Sequence, residues 1–542
     1  MKKKEFAMRR FSSYGPVDPD EYYYAPRNEL VEKGYTQLTG ENPTKGGHYF
    51  TVWAPRQCGK TWIMMEVVKK IKQAGKYHIA MISMQPAKAK KNEKKVLEIF
   101  LGKMSEVLPI KFPKISSISD IRAIFTKRYF QKPVILIIDE FDSLEEVFIN
   151  SFADVFRDIF IGRLGEPDKT SGEKTHLLHG LALIGVRSVL GIENEKGSPF
   201  NIQRSLHIPN LTFEEVQGMF QWYRKESGQF IEPEVVEKLY YETNGQPGLT
   251  CWFGELLTEG FEFYSNDQTK PVTMKEFKIV YTSATYALPN NNIMNLISKA
   301  KEEANKKLIL EMFQTDEKLK FKFDNKTMNA LYMNGLAEAE FEDRETFYLK
   351  FACPFIQKRL FNYFSDEYFN YLGTLLDNPF TNLDDIITPT ELDIIELLKF
   401  YQRYLDKNRD WLFKNAPRRS DQRIFEAIYH FSFYSYFNEF LRSKKVGVFP
   451  EFPTGNGKID ILIQYRDKKY GIELKSFRDN AAYKIALEKA AHYGKQLGLT
   501  EIFLVSFIES IDDVTRSTFE KAYNDPGSGV TVKPFFIQTG RV

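Results

Sequence analysis

Apolar positions in this chain change period several times, and each change marks an element. Residues 49–54 ("YFTVWA") form a β-branched and aromatic run, which predicts a strand. The next segment, "TWIMMEVVKKIKQAG" (61–75), spaces Ile63, Val67, Val68 and Ile71 along one helical face, with Gly75 as a stop. Buried-strand runs recur at "YHIAMISMQ" (77–85), "KPVILIIDEFDSL" (132–144), "GLALIGVRS" (180–188) and "RSLHIPNL" (204–211). Strands alternating with helices predict a parallel sheet covered on both faces, its site at the strands' carboxyl ends.

From about 212 to 270 the period is helical, opening on Thr212 as N-cap with Glu215 three residues on, a capping box. Residues 290–352 read as three helices and two strands, the order of a winged helix. The helix at 326–335 holds one basic residue, Lys326, while the wing holds Glu338, Glu340, Glu342, Asp343 and Glu345. Such a wing repels phosphates, so an internal scaffold role is expected. The Pro-, Asn- and Asp-rich stretch 377–393 reads as a connector.

Beyond it, "SDQRIFEAIYHFSFYSYFNEFL" (420–441) predicts a helix packing through Phe425, Ile428, Tyr429, Ser432 and Tyr436. A hairpin follows: strand "KIDILIQY" (458–465), turn "RDKK", and returning strand "YGIELK" (470–475). Helix 483–497 and strands 501–507 and 532–538 complete an α-β-β-β-α-β order with one added strand.

Composition narrows the class. A chain of 542 residues allows three to four domains. Its net charge of +3 is too small to announce a nucleic-acid binder, so any such contact must be local. Cys58, Cys251 and Cys353 lack metal-ligand spacing and fit a reduced cytoplasm. The basic start "MKKKEFAMRR" is followed by no apolar stretch, and no run approaches the length of a membrane span.

The first chemistry sits at "APRQCGKT" (54–61), between a strand and a helix. Backbone N–H groups of such a loop cradle phosphate oxygens, so Ala54, Pro55, Arg56, Gln57, Cys58, Gly59, Lys60 and Thr61 are the expected ATP-binding residues. Lys60 would reach the β- and γ-phosphates, and Thr61 would ligate Mg²⁺. Ala54 stands where a glycine usually opens the loop, but a small residue serves there. The run "ILIIDE" reads as a Walker B strand, in which Asp139 holds Mg²⁺ and Glu140 polarises the attacking water. The strand at 77–85, lying between the two motifs in sequence, suits the P-loop class that inserts a strand between them. Arg187 or Ser188 would end a sensor strand near the γ-phosphate.

Together "YYYAPRNEL", "APRQCGKT", "LIIDEFD", "LALIGVRSV", "SPFNIQRSLHIPNLTFEEV" and "ETNGQPGLT" resemble the AAA-like ATPases of the STAND type, over roughly residues 20–360. The resemblance places Tyr24 and Pro26 near the base and Pro247 in a helical lid that senses the nucleotide. It assigns no arginine finger: Arg187 and Arg204 are candidates, with a structural salt bridge the alternative for either.

The second chemistry is in the C-terminal hairpin. Asp460 begins one strand, and Glu473 and Lys475, two apart on the other, share a face. Two carboxylates can hold Mg²⁺, which polarises a phosphodiester and activates water, while a lysine neutralises developing charge. The pattern Asp–twelve residues–Glu-x-Lys resembles the PD-(D/E)XK nucleases, with Ile459 in place of the proline. In that family a glutamate of the preceding helix commonly assists the metal, a role that falls on Glu426. Arg442, Lys444, Lys445, Lys458, Arg466, Lys468, Lys469, Arg478 and Lys484 surround this region and favour a nucleic acid, taken as DNA.

The expected architecture is therefore α/β. It comprises a P-loop ATPase core (1–211), a helical lid (212–275), a winged-helix-like module (276–365), a connector (366–399) and a restriction-endonuclease-like domain (400–542). The expected function is an ATP-controlled, Mg²⁺-dependent nuclease, cytoplasmic, with a nucleotide-dependent homo-oligomer open. The resemblance implies a prokaryotic protein serving defence or mobile elements. The alternative is a nucleotide-switched interaction protein whose nuclease-like domain only binds.

Overall fold

The computed structural model describes residues 8–15, 17–185, 205–313, 318–342, 345–370, 372, 375, 383, 384, 386–453 and 458–540. The chain divides into two compact units, Met1–Lys299 with Lys320–Ile356, and Ala300–Leu319 with Gln357–Val542. The division runs through the segment 276–365: the helix Glu303–Met312 belongs to the second unit, while helix Lys326–Asn334 belongs to the first.

The first unit is built on five parallel strands, β1 (Tyr49–Trp53), β2 (His78–Ser83), β3 (Val134–Asp139), β4 (Leu178–Gly185) and β5 (Ser205–His207). Their order across the sheet is β2-β3-β4-β1-β5. The strand inserted between the P-loop strand and the Walker B strand is therefore β4, whereas β2 lies at the edge. The unbroken apolar runs follow from burial on both faces. On β3, Val134, Leu136 and Ile138 enter one core and Ile135 and Ile137 the other. Helix Lys60–Ala74 covers one face through Ile63, Met64, Val67 and Ile71. Helices Glu93–Val107 and Glu146–Leu164 cover the opposite one.

Three helices follow, Phe213–Ser227, Pro233–Thr243 and Pro247–Glu259, and the first opens on the Thr212–Glu215 capping box. Helix Lys326–Asn334 leads into an antiparallel pair, β6 (Ala337–Glu342) and β7 (Thr346–Phe351). Glu338 is half-buried rather than on an open wing, and it accepts hydrogen bonds from Asn210 Nδ2 (3.2 Å) and Asn244 Nδ2 (2.8 Å). Glu340 pairs with Lys350 at 2.6 Å, and Asp343 lies outside the described residues.

The second unit holds a six-stranded mixed sheet of β8 (Gly447–Pro453), β9 (Lys458–Tyr465), β10 (Lys468–Ser476), β11 (Glu501–Ile508), β12 (Tyr523–Asn524) and β13 (Thr531–Gln538). The order is β12-β13-β11-β10-β9-β8, with β10, β11 and β13 parallel. Helix Asn480–Gln496 packs on one face through Tyr483, Ala486, Leu487, Ala490 and Ala491. Helix Glu426–Arg442 contacts β8 and β10. It starts later than its sequence suggests, because Gln422 takes φ +68° and Arg418 bridges Ile424 in a tight loop. The helix is buried all round from Glu426 to Tyr434, so no single packing face exists. The hairpin turn is only Arg466-Asp467, with Lys468 and Lys469 already in β10.

One buried group of the first unit gives a stability prediction. The ring of His179 on β4 meets Ser171 Oγ at 2.6 Å and Thr39 O at 3.0 Å. Burial, aided by Arg163 and opposed by the Thr39 carbonyl, pushes its pKa down to about 4. An unfolded histidine titrates near 6.5. The unfolded chain thus binds a proton that the fold refuses, so stability is full above about pH 6.5 and falls toward pH 4. Between pH 7.5 and pH 5 this one group should cost about 2 kcal/mol. Urea midpoints should show that His179→Gln flattens this slope; an identical slope in the variant would contradict the assignment.

Candidate functional site

The loop between β1 and helix Lys60–Ala74 carries its own backbone signature. Gly59 caps the helix with φ +82° and Gln57 has φ +58°, so the chain turns back on itself before the helix starts. Left-handed backbone suits glycine, and it brings the loop around Lys60. Lys60 Nζ donates to Ala54 O and Pro55 O, both at 2.7 Å. Burial lowers the pKa of its ammonium, opposed by Asp142 and Asp139 among others. Thr61 Oγ1 donates to Asp139 Oδ2 at 2.6 Å, joining the two groups expected to share a Mg²⁺. Glu140 sits beside them at φ +52°. Burial, then the Asp139 and Asp142 charges, push its carboxyl up.

Ala54 and Cys58 are buried, and burial raises the Cys58 thiol to about 11, which makes it a packing residue rather than a nucleophile. Arg56 is exposed and Pro55 half-buried. Helix Pro247–Glu259 docks on this loop: Gln246 Nε2 donates to Arg56 O (3.1 Å) and Gly248 N to Gln57 O (3.1 Å). A Cβ on Gly248 would stand 2.4 Å from Gln57 Oε1 and 2.6 Å from Gln57 Cβ. Gly248→Ala should therefore lift helix Pro247–Glu259 from the loop. Titration with a fluorescent ATP analogue should show affinity several-fold weaker; unchanged affinity would show that the contact plays no part. Tyr24 packs edge-on against Trp62 (5.3 Å between centroids), and Pro26 is exposed. Arg187, Ser188 and Arg204 lie outside the described residues.

The second site forms where the ladders of β8, β9 and β10 meet. Pairing of β9 with β10 runs to Ile461↔Ile472, which leaves Asp460 and Glu473 next on their strands. Pairing of β8 with β9 includes Pro450↔Ile461 and Phe452↔Ile459, which leaves Glu451 opposite Asp460. Three acids thus form a row across adjacent strands. Lys475 Nζ lies 2.9 Å from Glu473 Oε1 and 3.5 Å from Asp460 Oδ2. Asp460 Oδ2 also accepts the backbone N–H of Leu474 at 2.7 Å. Burial opposes ionisation of Asp460, yet Lys475, His430 and that N–H hold its carboxyl below the usual range.

Sequence reading missed two members of this site. His430 puts Nδ1 at 3.9 Å from Asp460 Oδ1, and its Nε2 faces Leu474 O at 3.2 Å. Burial pushes its pKa down to about 4, so the ring is neutral and suited to ligation. Glu451 has φ +51° within β8 and is held by Gln357 Nε2 (2.9 Å) and by Lys458 Nζ. One ligand atom each from His430, Glu451 and Asp460 lie within 4.8 Å of one another. His430 Nδ1, Glu451 Oε1 and Asp460 Oδ1 are buried without a hydrogen-bond partner among the described residues. Three buried, unsatisfied ligand atoms converging in this way fit a divalent cation. Glu426 stands one step removed: its Oε2 accepts the Ser476 N–H (2.5 Å), and Oε1 lies 3.8 Å from His430 Nε2. His430 had one sequence signal, its place one helical turn after Glu426, whereas Glu451 shows itself only through the β8–β9 register that sets it opposite Asp460.

The P-loop geometry and its parallel sheet agree with a family match over the same stretch. Residues 12–257 match the family model described as AAA-like domain, and this stretch is an AAA-like P-loop ATPase domain. Among solved structures, the chain is similar to the Walker-type ATPase PABY2304 of Pyrococcus abyssi at 12% identity and TM-score 0.39, covering 66% of this chain and 99% of that one. It is similar also to the ORC2 protein of Aeropyrum pernix in ADPNP–ADP complexes, at 14% identity and TM-score 0.39, covering 64% and 97%. A RuvB mutant of Thermotoga maritima aligns at 12% identity and TM-score 0.34, covering 60% and 92%. No curated protein matches the chain. Among the described residues no helix is long and apolar enough to cross a membrane.

Proposed function

We propose that the chain is a nucleotide-controlled, divalent-cation-dependent nuclease, with ATP bound in the first unit and a phosphodiester cleaved in the second. The observation that carries the nuclease reading is the convergence of His430, Glu451 and Asp460 beside the Glu473–Lys475 pair. A divalent cation held by these ligands would polarise a phosphodiester and lower the pKa of a bound water. Lys475 supplies the positive charge that offsets charge developing on the phosphate. His430 keeps Nδ1 turned toward Asp460, and Glu426 fixes the backbone of Ser476. In the first unit, Lys60 and the loop N–H groups would hold the phosphates, and Glu140 would orient the attacking water. DNA is the substrate this reading takes, and prokaryotic defence or mobile-element biology is its setting.

A second reading has its own observation. Asp460, Glu473, Lys475 and His430 are each no more than 3% exposed, a burial that favours a nuclease-like domain kept for binding under nucleotide control. Incubating the full chain with plasmid DNA separates the two. The first reading expects cutting with Mg²⁺ or Mn²⁺ and none with EDTA. No cutting with either metal, with or without ATP, would leave the binding reading.

A further inference from the structure

A cleft of about 1000 Å³ opens in the second unit, and Glu426 and Ser476, the outer members of the buried acidic site, lie in its wall. Its cationic lining is Arg409, Lys414, Arg418, Arg419, Arg423 and Arg478. Five of these six precede the helix that carries Glu426 and His430, and only Arg478 belongs to the basic set visible around the hairpin. Four carboxylates share the lining: Asp410, Asp421, Glu426 and Glu509. Asp421 accepts the Arg423 N–H (3.1 Å) and Glu426 the Ser476 N–H (2.5 Å). Lys414, Arg418, Arg423 and Arg478 are exposed, and Arg409, half-buried, donates to Gly540 O and Asp406.

The loop 418–424 holds its arginines in place. Arg418 bridges Ile424, Arg419 N donates to Arg423 O (2.8 Å), Gln422 N donates to Arg419 O (3.0 Å), and Gln422 takes φ +68°. Arg418 Nη1 donates to Gln422 O at 2.8 Å. A loop closed on itself in this way presents charge with little further ordering cost. Of the four aromatic residues of the wall, Phe477 is half-buried and packs on Tyr483, Phe519 and Phe536, and the other three pack on one another. Phe413 and Tyr429 pack edge to face at 5.5 Å, Tyr429 stacks on Phe507 at 4.6 Å, and all three are buried.

We propose that this cleft binds the phosphodiester backbone of a nucleic-acid strand through Lys414, Arg418, Arg423 and Arg478, and guides it to the acidic site without reading bases. The proposal rests on the nuclease reading for its purpose, but not for its test. Cations facing phosphates without base contacts give affinity that is sequence-independent and falls with salt, the slope counting the phosphates neutralised.

The experiment is fluorescence anisotropy of full-length protein with labelled oligo-dT and oligo-dA across a salt series, in Ca²⁺ to avoid cutting. Arg418→Ala/Arg423→Ala should weaken binding about tenfold at 0.15 M salt and reduce the slope by about 1.4, the loss of two phosphate contacts on a single strand. Arg418→Lys/Arg423→Lys should keep most of the slope, and ATP affinity should be unchanged in both variants. Oligo-dT and oligo-dA should bind within about twofold of each other. An unchanged slope in the alanine variant would overturn the cleft, as would an equal loss in the lysine variant or a tenfold preference for one base. If wild type binds with the expected slope yet never cuts in Mg²⁺ or Mn²⁺, the cleft stands and the nuclease reading falls. If it binds neither oligonucleotide, the cleft assignment falls with it.

Discussion

Asp460→Ala should abolish the proposed metal-dependent cleavage and weaken binding of Mn²⁺ by about 10- to 100-fold, with ATP affinity retained. The expectation follows from placement. Asp460 is buried, Oδ2 is committed to the Leu474 N–H, and Oδ1 is left facing His430 Nδ1 at 3.9 Å. Removing the carboxylate takes away the ligand common to the sequence-derived set and to the set the structure gathers. Those two sets then diverge in a useful way. Glu451→Gln should weaken Mn²⁺ binding about as much as Asp460→Ala, since Glu451 is a member of the three-residue group. Glu473→Gln should weaken it less, because Glu473 faces Lys475 Nζ at 2.9 Å. Lys475→Ala should lower cleavage by about 10²- to 10³-fold with metal binding largely intact, the signature of lost charge stabilisation. Isothermal titration with Mn²⁺ beside a cleavage assay separates these cases. Undiminished Mn²⁺ affinity in Asp460→Ala would remove the metal centre from the account.

The second large effect is expected at Lys60. Lys60→Ala should abolish ATP binding, and Glu140→Gln should leave binding intact while stopping hydrolysis. The Lys60 ammonium lies inside the loop, on the carbonyls of Ala54 and Pro55, where arriving phosphates would replace those two weak acceptors with full negative charge. Thr61 and Asp139, 2.6 Å apart, are the groups that would hold the cation accompanying ATP. Titration with a fluorescent ATP analogue reads the first variant and phosphate release the second. Wild-type affinity in Lys60→Ala would mean that the loop holds no phosphate.

How much of this was legible depends on how each residue is constrained. The ATPase strands were plain because a strand buried on both faces must be apolar at every position, as "VILIID" is. The spatial order of those strands was not, since sequence shows β2 between the two motifs while space puts β4 there. Asp460, Glu473 and Lys475 could be joined because a two-strand hairpin fixes register. Glu451 escaped notice because β8 carries Pro450 and Pro453 and a left-handed residue, which erase the period-2 pattern of a strand. His430 was hidden for the opposite reason. Its helix is buried all round, so a polar residue there stands on no distinguishable face. Arg423 was absorbed into the start of the helix expected at 420–441, which begins only at Glu426, while Arg418 and Arg419 lay just ahead of it.

Nucleotide control of the buried acidic site is the central claim, and one measurement meets it directly. The rate of DNA cleavage by the full chain in Mg²⁺ should be recorded with ATP, with ADP and with no nucleotide, Lys60→Ala serving as the nucleotide-blind control. The wild-type rate should change at least severalfold between ATP and ADP, and the variant's rate should not change. Equal wild-type rates in all three conditions would contradict it.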